Sequence, residues 1–254
     1  MAAITKSPEP LRAPVPAALP AGTALLLFVV CCVAEAIVLG ALAAHRAVNA
    51  DEGFYMTAGW QVLTRHRLYA DFFFPQMPYL PFVEAGILAV TGPSLLAARA
   101  ISVLTGSLLA GCLALTAARN TGKIGVGIAI ALAYGVNSLA LNYLSIDKTY
   151  GLANLALVGA FLLVAAPTTS LAQTVVAGVC AGVAVGTRLP AAAAVLVVLV
   201  WSSRRGARHV LAFCAGGLVG YLPWLWAAAQ NPIEGRTGAI DEAEHVKVAA
   251  AFDL

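Results

Sequence analysis

Between Thr149 and Val200 the sequence carries a single charged residue, Arg188. A stretch so poor in charge does not suit a water-soluble domain, whose surface helices and strands must turn a polar face outward. The polar breakers "PTTS" (167–170) and "TRLP" (187–190) divide it. The resulting apolar runs approach the roughly 17–25 residues with which a helix crosses a hydrocarbon core of about 30 Å.

Extending that reading along the chain gives seven apolar spans: Thr23–Ala44, Leu95–Ala118, Ile124–Ser145, Tyr150–Ala166, Leu171–Thr187, Leu189–Ser203 and His209–Ala229. The remaining breaks are "RNTGK" (119–123), "DK" (147–148) and "SRRGAR" (203–208). With 61% hydrophobic residues and 11% charged, the expected class is all-α, a polytopic transmembrane helical bundle. A net charge of +3 without a basic stripe argues against nucleic acid as a partner. The five cysteines all fall within apolar runs and have no metal-ligand spacing, so they read as buried free thiols.

The proline-rich residues 1–22 are expected to be a disordered cytoplasmic terminus, and 230–254 a polar external tail. Thr23–Ala44 exceeds the roughly 7–15 residues of a signal-peptide core and reads as an uncleaved anchor. The stretch "PYLPFVEAGILAVTG" (78–92) decides the topology. Its two prolines and one glutamate suit an interfacial or re-entrant helix better than a span. With 78–92 kept outside, the short inner turns hold Arg119, Lys123, Arg204, Arg205 and Arg208, and the short outer turns only Lys148 and Arg188. That asymmetry places the amino terminus in the cytoplasm and loop 45–94, with its juxtamembrane helices, outside the plasma membrane. Tyr143, Tyr150, Tyr221, Trp224 and Trp226 fall near the outer ends of spans and Trp201 near an inner end, as interfacial aromatics should. Gly178, Gly182 and Gly186 form a small-residue face for close helix packing.

Under this topology the candidate chemistry gathers at the external face. Asp51 and Glu52 open an expected amphipathic helix on which Phe54, Ala58 and Val62 share a face. As a plain structural feature, such acids stabilise a helix N-terminus. Together with Asp147, they are candidates to deprotonate a hydroxyl or to hold a divalent metal through Asp51 and Asp147. Arg188, in the third external turn, is a candidate cation for an anionic lipid headgroup, and Lys148, in the second, a candidate assistant; the plainer alternative is a snorkelling interfacial arginine. Glu35, deep in the first span, reads as a neutral or hydrogen-bonded packing residue, and Glu84 as facing water. No P-loop or dinucleotide fingerprint occurs.

The segment "ADEGFYMTAGWQVLTRHRLYADFFFPQMPYLPFVEAGILAVTGPSLLAARAISVLTGSLLAG" resembles the start of the GT-C membrane glycosyltransferases. The nearest branch is the family 39-like one, which includes protein O-mannosyltransferases and the lipid A aminoarabinose transferase. The shared features are an acidic pair after the first span, a "G…LY.DFF.PQ.P" pattern and a Gly followed by "AAR" opening the next span. "LNYLSIDKTYGLANLAL" and "AVGTRLPAAAAVLVVLVW" extend the resemblance, which covers about residues 23–229. It implies a GT-C module that transfers a sugar from a polyprenyl-phosphate carrier to a glycan, lipid or protein acceptor on the external face. Asp51 would be base or metal ligand, with Glu52 and Asp147 supporting it. Arg188 and Lys148 would hold the lipid phosphate, and Tyr55 and Gln76 would contribute to substrate binding. The resemblance implies no definite cofactor and leaves a divalent metal possible. The chain reads Gln76-Met77-Pro78-Tyr79 where the aminoarabinose branch carries Glu-Lys-Pro-Pro, so that branch's metal ligand and phosphate lysine are absent. Family members usually continue for further spans, so this chain is expected to be a fragment or a minimal version. The competing classes are a transporter or lipid flippase, in which Glu35 and Arg188 would form a charge pathway, and a truncated, non-catalytic membrane protein.

Overall fold

The structure, a computed structural model, describes residues 19–166 and 168–229, with side chains as far as Trp226. The proline-rich terminus before Leu19 and the tail after Ala229 lie outside the described residues. Within them all regular structure is helical, apart from an isolated bridge between Leu68 and Phe72. The order is α1 (Ala21–His45), α2 (Ala50–Leu63), α3 (Tyr79–Thr91), α4 (Leu95–Thr121), α5 (Ile124–Gly135), α6 (Ser138–Leu144), α7 (Thr149–Ala165), α8 (Leu171–Thr187), α9 (Ala191–Ser203) and α10 (Ala207–Ala229).

The burial pattern departs from that of a soluble protein in having an exterior as apolar as the core. Along α1 the inward stripe is Ala24, Leu27, Cys31, Glu35, Leu39 and Ala43, a 3.6-residue repeat. The outward residues are also apolar, with Leu25 64% and Ile37 66% exposed. Meanwhile Glu35, Glu52, Glu84, Arg99, Asp147 and Lys148 are buried. An apolar exterior with several charges withdrawn into a largely apolar interior suits a lipid surrounding, where no polar side chain gains by facing outward.

Length separates the helices. Three (α1, α4 and α10) are long and apolar enough to cross a membrane, or four if α5 and α6 count as one bent span. The sequence expectation of a continuous helix over Ile124–Ser145 is corrected by a 64° bend. Asn137 causes it: its side-chain oxygen accepts from the backbone N–H of Leu139 and Ala140, ending one helix and capping the next. α7, α8 and α9 are shorter apolar helices of 17, 17 and 13 residues.

The tightest seam joins α8 to α10. A Cβ on Gly178 would run into the Phe213 carbonyl, one on Gly182 into the Gly217 carbonyl, and one on Gly220 into that of Val179. Backbone meets backbone here, as the four-residue glycine spacing implies. Gly186 instead receives the ring of Tyr79 from α3, and the Tyr79 hydroxyl donates to the Gly220 carbonyl. Gly182→Leu is therefore expected to force the two helices apart and to destabilise the protein by at least the roughly 1–3 kcal/mol typical of overpacking. A thermal melt of the full chain in detergent measures this; an unchanged melting temperature would mean that the seam yields freely.

α2 and α3 do not continue the up-and-down path. Both pack at the end of the bundle where α1 stops and α4 begins: Glu52 of α2 reaches Arg99 in the second turn of α4, and Tyr79 reaches α10. At the opposite end Arg205 donates to the carbonyls of Val164 and Ala166, and Thr174 bonds to His209. Segment 78–92 thus returns to the end from which it started.

Candidate functional site

The site is organised by a buried ion pair. Glu52 lies at the third position of α2, where a capping box forms: the Asn49 side chain accepts from a backbone N–H of the first turn, and the Glu52 carboxylate accepts from the Asn49 N–H at 2.8 Å. From the other side Arg99 donates through Nε at 2.7 Å and Nη2 at 2.8 Å. The remaining guanidinium hydrogens reach the carbonyls of Ala43, Arg46 and Ala47, which close α1 and begin the following loop. Glu52 Oε1 also accepts from the backbone N–H of Asp147 at 3.0 Å. Burial pushes the Glu52 carboxyl up, but the hydrogen bonds from Arg99, Asn49 and Asp147 outweigh it and hold the group below the usual range. Four segments (the end of α1, α2, α4 and the α6–α7 connection) are fastened at this point. Arg46 adds a second tie, donating to Leu141 and Asn142 carbonyls and to Ser145 Oγ on the α6 side.

This clamp sets out the polar groups in front of it. Asp51, adjacent to Glu52, is exposed and pairs with Lys148, adjacent to Asp147, at 2.6 Å. The Lys148 ammonium also lies 5.0 Å above the Tyr143 ring, which stacks on Tyr150. Arg188 caps α8 in an extended conformation and donates to Tyr150 Oη at 3.0 Å and Thr149 Oγ1 at 3.4 Å, with its guanidinium over the Tyr150 ring. Among the described residues no ion pair neutralises it. Tyr55 completes the group. Its hydroxyl donates to Gln76 Oε1 at 2.8 Å. Burial chiefly raises its pKa; Gln76, Asp51, Thr149 and Arg188 all lie close enough to act on it.

The sequence candidates therefore divide into two layers. Asp51, Lys148, Tyr55, Gln76 and Arg188 come together at one end of the bundle from three connections distant in sequence. Glu52 and Asp147 lie behind them, both fully buried. The Asp147 carboxyl turns toward Glu84. Glu84 was expected to face water; it is 1% exposed, because Gly59 lets α2 and α3 approach until a Cβ there would lie 2.7 Å from the Glu84 Cβ. Glu35 is buried against α5, where Gly135 leaves room for its carboxyl, and its Oε1 has no donor among the described residues.

As a metal site the donor set fits poorly. No three His, Cys, Asp or Glu side chains among the described residues are grouped to hold an ion. Asp51 is engaged by the Lys148 ammonium, while Asp147 is turned toward Glu84, so these two carboxyls are directed at different partners. The residues sequence reading missed are Arg99 and Glu84. Arg99 had a signal, a cation within the apolar run that opens at Leu95; Glu84 had none, because its burial depends on Gly59 in another helix.

Comparison of the chain with protein-family models, curated proteins and solved structures gives no match.

Proposed function

We propose that the chain is a membrane glycosyltransferase of GT-C type, moving a hexose or pentose from a polyprenyl-phosphate carrier to an acceptor hydroxyl at the external face of the plasma membrane. The observation that carries this reading is the meeting of an exposed carboxylate, Asp51, with Lys148 and the un-neutralised Arg188 around Tyr55. The GT-C resemblance of the first loop adds to it.

In this reading Asp51 accepts the acceptor's hydroxyl proton while the oxygen attacks the anomeric carbon and the carbon–phosphate-oxygen bond breaks. The departing phosphate keeps the electron pair and is stabilised by Arg188, which can offer two parallel N–H donors. Lys148 shifts from Asp51 toward the same phosphate, leaving Asp51 free as base. Tyr55 and Gln76 line the floor and contact sugar or acceptor. Glu52 and Asp147 act from behind by fixing the backbone that carries Asp51 and Lys148. The seven apolar segments each cross the bilayer, with the amino terminus and the basic turns at 119–123 and 203–208 in the cytoplasm.

The test is transfer of labelled sugar from a polyprenyl-phosphate donor in isolated membranes, comparing the protein as it stands with Asp51→Asn at matched abundance. Loss of transfer supports the assignment; retained transfer removes Asp51 as base. A transport role would draw on buried Glu35, with its unpartnered Oε1, and would make Glu35→Gln the damaging change instead.

A further inference from the structure

Behind the site, four buried carboxyl oxygens, two on Glu84 and two on Asp147, have no hydrogen-bond donor among the described residues. The side chains are 1% and 0% exposed. Unpartnered buried polar atoms at this density are costly, and two ionised carboxylates in contact would be more so. The charges around them do not relieve the conflict. From α2 Glu52 adds a third negative group, and from α4 Arg99 supplies one positive charge already shared with Glu52. Lys148, on the same connection as Asp147, sends its ammonium to Asp51 instead. One proton placed between the two carboxyls removes one of the two charges and gives one oxygen of each group a partner, since the acid then donates a short, charge-assisted hydrogen bond to the carboxylate.

We propose that Glu84 and Asp147 share a single proton, and that this pair is an alkaline-sensitive latch fastening α3 to the connection that carries Lys148. The latch is independent of the sugar-transfer reading. Burial pushes both carboxyls above the ordinary range, Asp147 to about 6 and Glu84 well up, with the Asp147 charge adding to the latter. The pair titrates as a unit. Because the folded values exceed those of the unfolded chain, about 4, the stabilisation is complete below about pH 4 and is lost as pH rises through the folded values. Loss of the proton would put two adjacent charges between α3 and the α6–α7 connection. Lys148, whose backbone exchanges hydrogen bonds with Ser102 Oγ at 3.3 and 3.4 Å, would move with that connection away from Asp51.

The experiment uses the full chain in detergent. Thermal unfolding is followed from about pH 5 to about pH 9, spanning the unperturbed and raised carboxyl range. A protonated-carboxyl band is sought by infrared spectroscopy. For the unaltered protein the unfolding constant should rise toward about tenfold per pH unit across the titration, the slope for one proton. Glu84→Gln and Asp147→Asn each keep a donor for the remaining carboxylate, so in a Glu35→Gln background, which lacks the other buried carboxyl, either should flatten that profile and remove the band. A slope unchanged in a folded variant, or a band that neither substitution removes, would overturn the latch. So would an unaltered protein whose melting temperature does not fall as pH rises.

Discussion

Arg99→Ala is expected to destabilise the folded chain by about 3–5 kcal/mol, the usual cost of stripping one partner from a buried ion pair. The reason lies in what it leaves behind. Glu52 would keep its burial and lose both guanidinium donors, while the carbonyls of Ala43, Arg46 and Ala47 would lose theirs together. Arg99→Lys should recover little, because an ammonium cannot make the paired contacts and reach three carbonyls as well. Arg99→Met combined with Glu52→Gln should lose less than the two single losses added, since no charge is then stranded. Melting temperatures of the four proteins in detergent give the comparison, and additive losses would mean that the two side chains do not act as a pair. Acid sensitivity supplies a second measurement. Because the folded Glu52 pKa is depressed, its contribution is present above the unfolded value of about 4.3 and is lost as pH falls through the folded value. Glu52→Gln should remove that part of the acid response.

Asp51→Asn is expected to reduce sugar transfer by about 10²–10⁴-fold, the range contributed by a positioned general base. The substitution should leave the fold almost untouched, because Asp51 is exposed and its partner Lys148 can turn toward solvent or the donor phosphate. Stability and catalysis are thereby separated in adjacent residues: Asp51 should affect turnover alone, and Glu52 should affect the melt first. Lys148→Met sharpens the assignment. If the ammonium shifts to the departing phosphate, its loss should lower the maximal rate; if it serves only to restrain Asp51, transfer should persist. Measuring transfer in membranes across pH for all three proteins distinguishes these outcomes.

The helical class and most helix ends were legible in the sequence because uncharged runs and polar breakers are local signals. Leu95, Leu171 and Ser203 fall where the structure starts or stops a helix. The break after Gly135 was not, because Asn137 is a single polar residue in an apolar stretch and only its cap bonds reveal the bend. Asp51, Lys148 and Arg188 stood out in the sequence because charge is scarce enough here for each to need a reason; the structure pairs Asp51 with Lys148 and sets both Asp51 and Arg188 near Tyr55. The separate posts of Asp51 and Glu52 could not be read from adjacency. Helix geometry turns one outward and the other into the bundle, and only Arg99, distant in sequence, shows which is which. Glu84 was misplaced because its environment is made by the absence of a side chain at Gly59.

The glycine seam between α8 and α10 has a mechanical corollary. Two helices whose backbones touch cannot slide or part by rotating side chains, and Tyr79 pins α3 to the same slab through Gly186 and Gly220. That side of the molecule behaves as a stiff wall. α9, which buries only Val198 and Ser202, leans on that wall through Val198, clustered with Ala177 and Phe213, and packs through side chains, so it can shift without the backbone of α8 or α10 moving.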